Sequence, residues 1–194
     1  ATGLDAPFRL SIKGEEAVMD WQEYLRSPGD FRVKGKAVAI IGGEPARFTP
    51  FVDIYRDAWA RGGHDPAKAR VSINSHGFIA ESETGAAELF WPRYADAMGR
   101  IGRERGWSPP TRAHFAAERS PHGALLVGSP QQVIDKILYE HELFRNDRFL
   151  LQLSVGTMPH ADMMTANELY GTVVAPAVRK ATRGNATIAT TGAV

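Results

Sequence analysis

Apolar positions along the chain switch repeatedly between two spacings. Phe8, Leu10 and Ile12 alternate with polar neighbours, the period of a short half-buried strand. Val18, Trp21 and Leu25 recur at helical spacing, which predicts a helix from Glu15 to Arg26, broken by Ser27-Pro28-Gly29-Asp30. Phe31 and Val33 alternate again before the unbroken run Ala37-Val38-Ala39-Ile40-Ile41, a buried strand that Gly42-Gly43 ends. After Pro50, Phe51, Ile54, Tyr55 and Ala58 share a helical face, and Gly62-Gly63 supplies the stop. Arg70 to Ala80 is the second buried strand. Ala87, Phe90, Trp91, Tyr94, Met98 and Ile101 then line one side of a long helix in which Pro92 predicts a kink or break. Trp107-Ser108-Pro109-Pro110 interrupts the pattern. Thr111 to Glu118 forms a short helix before the turn Pro121-His122-Gly123.

The most legible stretch is Gly128 to His160. Ser129 is a preferred N-cap, Pro130 occupies the first helical position, and Gln132 completes a capping box. Val133, Ile134, Ile137, Leu138 and His141 share one helical face, and Asn146-Asp147 ends it. Phe149 to Val155 is a third buried strand, running into a loop with Gly156, Thr157, Pro159 and His160. A helix follows from about Asp162 to Arg179, with Ala166, Leu169, Tyr170, Val173 and Val174 inward. From Ala181 threonine, alanine and glycine dominate, a composition that predicts a disordered tail. Helix, strand, glycine-bearing loop and helix in succession are the grammar of an α/β fold with parallel strands.

Composition narrows the chemistry. The chain has 194 residues, 43% of them hydrophobic, enough for one well-buried core. A net charge of +1 makes no electrostatic case for nucleic acid or an anionic membrane. Without cysteine there is no disulfide, thiolate metal site or cysteine nucleophile. No apolar window of membrane-spanning length and no signal-like N-terminus occur, so the cytoplasm is the expected location. The histidines have no metal-ligand spacing, and no metal is expected.

Three phrases, IIGGEPARF (40–48), HDPAKARVSINSHGF (64–78) and GSPQQVIDKI with RFLLQLSVGTMPH, together resemble the luciferase-like flavin-dependent monooxygenases. The resemblance covers residues 37 to 180 and implies a partial (β/α)8 TIM-barrel-like fold. It comprises the last three βα units, with a helical insertion before the final strand. Residues 1 to 36 do not match and stand as a separate N-terminal segment; residues 181 to 194 form the tail. The implied activity is FMN-dependent oxidation of a small organic substrate. The alternative is a non-catalytic remnant of the family that binds flavin or serves in assembly. Because three or four strands cannot close a barrel, an edge along residues 37–41 is expected to pair with a second copy or another chain.

In such barrels the site lies at the carboxyl ends of the strands. The resemblance therefore selects Gly42 and Gly43, then Asn74, Ser75 and His76, then Gly156, Thr157 and His160. Alternation along the second strand puts Ser72, Asn74, His76 and Phe78 in one phase and Val71, Ile73, Ser75 and Gly77 in the other. With the first set facing the barrel interior, His76 and Asn74 become the candidate catalytic residues. Gly42, Gly43, Ser75, Gly156, Thr157 and His160 are the candidate flavin contacts. A bland reading stands beside each of these. The glycines serve tight turns, the Asn74-Ser75-His76 trio satisfies a core hydrogen-bond network, and His160 caps the next helix. The row Phe90, Trp91, Tyr94 reads as core, and Gly128-Ser129 as a helix cap rather than a phosphate loop.

Overall fold

The computed structural model describes residues 8–12, 15–19, 37–41 and 43–188. The chain divides into two units, Ala1–Val38 with Phe51–Arg70, and Ala39–Pro50 with Val71–Val194. In the smaller unit β1 (Phe8–Ile12) and β2 (Glu15–Met19) form an antiparallel pair running from Phe8↔Met19 to Ile12↔Glu15. The strand at 8–12 follows its alternation. The helix expected from Glu15 does not form there; Glu15–Met19 is extended instead, because pairing with β1 overrides the helical preference of Glu, Ala and Met. The rest of that expected helix, and the alternation at Phe31 and Val33, lie outside the described residues.

Helix α1 (Thr49–Arg61) buries Val52, Tyr55 and Trp59, one face at helical spacing. Its exit is clamped by its own side chains. Trp59 Nε1 donates to Asp65 O at 2.8 Å, its ring lies 4.7 Å from that of His64, and Tyr55 Oη accepts from Arg70 N at 3.2 Å.

The larger unit is built on β4 (Arg70–Ile79). The sheet runs in the order β3 (Ala37–Ile41), β4, β5 (Leu126–Gly128), and β6 (Arg148–Gln152) also pairs with β4. β4 pairs with both β6 and β5 in parallel. Residues Ser72 to His76 pair with Arg148 to Gln152, and Gly77 to Ile79 pair with Leu126 to Gly128. Asp147 closes the amino end of the β4–β6 ladder, its Oδ2 accepting from Val71 N at 3.0 Å and its N donating to Val71 O at 2.9 Å. Strand β5 is an element that the apolar pattern does not announce. It has three residues, all buried, inside the run Ala124 to Gly128 that precedes the helix cap. The helical insertion, α2 (Glu83–Arg105) and α3 (Arg112–Glu118), therefore stands before β5, and α4 (Pro130–Phe144) leads from β5 to β6.

Several helix ends follow their capping residues. The Ser129 hydroxyl and the Gln132 amide form the expected box at the start of α4, and Ser82 Oγ accepts from Gly85 N at 3.1 Å to open α2. Pro92 does not break α2, which runs without interruption to Arg105. The Arg93 guanidinium donates to Leu89 O at 3.1 Å in that turn. Rings pack between sheet and insertion: Phe90 lies 6.1 Å from Phe78, 6.3 Å from Phe115 and 5.5 Å from Tyr94. The aromatic row is core.

At the C-terminus, α5 (His160–Leu169) passes through a π turn at Tyr170–Val174 into α6 (Ala175–Ile188). Helix continues past Ala181, where composition predicts disorder. Thr182 Oγ1 donates to Val178 O at 3.0 Å, so its hydroxyl is satisfied within the helix.

Gly77 stands where β4 changes partner from β6 to β5. A Cβ there would collide with Leu126 O and come within 2.6 Å of Leu151 Cδ1. Gly77→Ala should lower stability by about 2–3 kcal/mol, since the obstructing atoms include backbone. Gly171→Ala, with nothing near its added carbon, should leave the urea midpoint unchanged or raised. Equal midpoints for the two variants would show that the fork does not depend on this glycine.

Candidate functional site

The two sides of β4 differ in what they meet. Val71, Ile73 and Ser75 are buried at 1%, 2% and 6% exposure. Ile73 and Ser75 line a crevice of ≈ 10 Å³ with Glu140 and Phe144 of α4, so this side faces the helix layer. Ser72, Asn74 and His76 are only half-buried. Ladder partners in a parallel pair point the same way, which sets Ser72 beside Arg148, Asn74 beside Leu150 and His76 beside Gln152. Arg148, Leu150 and Gln152 are exposed, Leu150 at 44%. The six residues form an open face of the sheet. Towards its carboxyl end the same phase reaches Phe78, buried against Phe90 of the insertion.

His76 and Asn74 thus lie on the open face together. Burial holds the His76 imidazole below its ordinary pKa of 6.5, so it is neutral at pH 7. Asn74 Oδ1 is buried and has no hydrogen-bond partner. Ser75 points the other way and belongs with Glu140. Gly42 lies outside the described residues. Gly43 has φ 74°, and a Cβ there would meet the Phe48 ring at 3.2 Å. It therefore has a turn to make and also lines the crevice beside Asn74. Gly156, at φ 73°, brings the loop after β6 close to α2: a Cβ would lie 2.8 Å from Arg93 O. Thr157 and His160 are exposed. His160 is the first residue of α5, and Pro159 is its N-cap, so the imidazole does not occupy the capping position.

Two charged side chains join the site without being singled out by the sequence pattern. Glu140 is 2% exposed, and burial pushes its carboxyl up to about 7, against the pull of the Lys136 ammonium and the Ser75 hydroxyl. Its Oε2 is buried without a partner. Lys136, 6% exposed, donates from Nζ to Ser120 O at 2.8 Å, Leu125 O at 2.6 Å and Glu118 O at 3.4 Å. Burial lowers its pKa to about 8, with Glu140 and Glu118 opposing. The signal is present in the spacing: 133, 136, 137, 140 and 144 fall on one helical face, so the α4 stripe that buries Val133 and Ile137 also buries these two.

Parallel strands around a central β4, joined through helices, with polar groups on the uncovered side, define part of an α/β barrel. The family model for luciferase-like monooxygenases matches residues 34–147, and the chain belongs to that family. No curated protein matches it. Among solved structures it is similar to the monooxygenase RslO1 from Streptomyces bottropensis, at 20% identity and a TM-score of 0.56 over 72% of this chain and 41% of the other. It is similar to the long-chain alkane monooxygenase LadA at 18% identity and 0.51, over 77% and 37%. The riboflavin lyase RcaE, solved with modified FMN and riboflavin, aligns at 15% and 0.50 over 92% and 49%. The chain spans less than half the length of each of these three proteins, and at such identities the likeness is one of fold. Among the described residues no helix is long and apolar enough to cross a membrane, and no group of His, Asp or Glu is arranged to hold a metal.

Glu140 carries a pH dependence with a definite sign. Its folded pKa of about 7 exceeds the ordinary 4.5, so folding takes up a proton between those values. Its contribution is fully present below pH 4.5 and is lost as pH rises through 7. Glu140→Gln should remove on the order of 3 kcal/mol of that decline. Denaturant midpoints across this window would check it; the same slope in wild type and variant would place the proton uptake elsewhere.

Proposed function

We propose that this chain supplies one wall of the flavin site of an FMN-dependent monooxygenase that oxidises a small organic substrate. The observation that carries the reading is the open face of β4 and β6 in a chain of the luciferase-like monooxygenase family. That face pairs an exposed apolar side chain, Leu150, with the hydrogen-bonding groups of Asn74, His76 and Gln152. A flavin ring is a flat apolar surface with donors and acceptors on its edge, and these residues fit it. Bound reduced FMN would supply the electrons for oxygen chemistry.

The residues have separable tasks in this reading. His76 and Asn74 are the catalytic pair, and the neutral imidazole donates or accepts a hydrogen bond at the reacting edge. Gly43, with Gly42 before it, and Gly156 keep the strand-end loops close and free of side chains. Thr157 and His160 offer polar contacts at the start of α5. Ser75 acts from the far side of the strand, holding Glu140 under the site. Uncovered, the open face leaves Leu150 in water. We propose that it is covered by association, with a second copy or with further barrel strands.

Titration of the purified 194-residue chain with FMN, followed by flavin absorbance and turnover, tests the reading. His76→Ala should reduce turnover by about tenfold or more while circular dichroism stays native. Lost stability with untouched flavin affinity and turnover would make His76 structural, and flavin binding without turnover would favour a non-catalytic member of the family. For association, sedimentation at roughly tens of micromolar should show an assembly larger than one chain; a clean monomer there would refute the covering by a second chain.

A further inference from the structure

A second concave surface lies at the opposite end of the strands from Gly156 and Thr157. Where the amino end of β6 meets the last turns of α4 and the C-terminal helix, a cavity of ≈ 290 Å³ opens. Its apolar lining comes from Ile137 and Val174, both buried, and from Phe149. The C-terminal helix presents one continuous face to it: Ala175, Val178, Arg179 and Thr182 recur at intervals of three and four. The π turn just before them brings Tyr170 and Val174 to the same wall. Such wide turns are often found at functional sites.

The charged groups of the lining are mostly cationic, and the Asn146 amide lies beside them, its Nδ2 donating to Arg148 O at 3.1 Å and its Oδ1 buried without a partner. Arg148 and Arg179 are exposed and His141 is half-buried. Among the described residues none of these three side chains has an ion-pair or hydrogen-bond partner. The single carboxylate of the lining, Asp147, is already engaged, its Oδ2 accepting from Val71 N. Tyr170 adds a neutral phenol: burial raises its pKa, although the Arg179 charge acts the other way. Two uncommitted guanidinium groups over a non-polar floor call for a ligand with a negative end and an apolar body.

Size and shape narrow the class further. An inorganic anion would satisfy the arginines and leave the apolar floor wet. We infer that this cavity binds a small aromatic carboxylate, its carboxylate paired with Arg148 and Arg179 and its rings laid on Ile137, Phe149 and Val174. The cavity shares only Arg148 with the open face, and its other lining residues lie apart from the proposed flavin contacts.

The probe is 2-naphthoate, titrated by calorimetry into the full protein, with uncharged 2-naphthalenemethanol as its counterpart. The carboxylate should bind saturably with one site per chain. The double variant Arg148→Gln/Arg179→Gln should weaken it at least tenfold, and the alcohol should bind wild type at least tenfold more weakly. Both arginines are exposed, so that variant keeps the fold. Ala175→Trp, which fills the cavity without changing charge, should abolish binding, while FMN affinity is unchanged in Ala175→Trp and in the single variant Arg179→Gln. Absence of saturable binding up to about 1 mM, the weak end of specific affinity, would overturn the proposal. So would equal affinity for acid and alcohol, undiminished affinity in the double variant, or binding that survives Ala175→Trp in protein with native circular dichroism.

Discussion

The larger unit depends on one strand accepting more neighbours than a strand of ordinary width allows. β4 pairs with β6 along Ser72 to His76 and with β5 along Gly77 to Ile79, so two strands meet it on successive stretches that adjoin at Gly77. At the junction Leu126 O and the Leu151 side chain converge on the Cα of Gly77. Only a residue without a Cβ leaves room for both. The fork also directs the path of the chain beyond it. β5 ends at Gly128, where the capping box of Ser129 and Gln132 starts α4, and α4 returns the chain to β6 beside the lower half of β4. A parallel sheet needs such helical returns, and the rapid start of α4 makes a short one possible.

This arrangement explains why the two sides of β4 are so unequal. Its helix-facing side receives α4 directly, and Ile73 and Ser75 are buried there. That layer holds a lysine and a glutamate where apolar groups would pack, yet their situations differ. Lys136 is ringed by three carbonyls of the segment that leads from α3 into β5, so its charge is solvated by backbone dipoles and fixes that segment. Glu140 has an unpartnered oxygen, and desolvation favours its neutral form. A protonated carboxyl has a hydrogen to donate, which a buried carboxylate lacks. The helix layer therefore tolerates Glu140 best as an acid, one residue layer behind the strand that carries Asn74 and His76.

Legibility tracks the strength of local signals. The start of α4 is readable residue by residue because Ser129, Pro130 and Gln132 each have a single good place in a helix. The alternation of β4 is readable because ten residues give a period enough repeats. β5 is not, since three apolar residues before a cap carry no period at all. β2 misleads for a different reason: Glu15 to Met19 are helix formers, and only the partner strand makes them extended. Pro92 predicts a break, yet the helix runs on where the rings of Phe90 and Tyr94 pack around it. In the candidate site, Asn74 and His76 stand out because polar residues interrupt an apolar strand. Glu140 does not, because a charged residue in a helix is normally assigned to its solvated face. Its spacing of seven from Val133 contradicts that habit.

The C-terminal helix shows how backbone irregularity places side chains. Ala166 and Val174 are both fully buried, eight residues apart, with the π turn between them. In a regular α-helix eight residues exceed two turns by about 80°, and one extra residue per turn takes up that drift. The turn thus lets α5 and α6 present apolar residues to the same core although their sequence phases differ. Its consequence lies one turn further on, where Val178, Arg179 and Thr182 face α4 and the start of β6. Without the extra residue, Arg179 would be rotated towards solvent and away from His141 and Arg148. The irregular turn thus serves the core and, in doing so, also sets which side chains of the last helix reach the cavity.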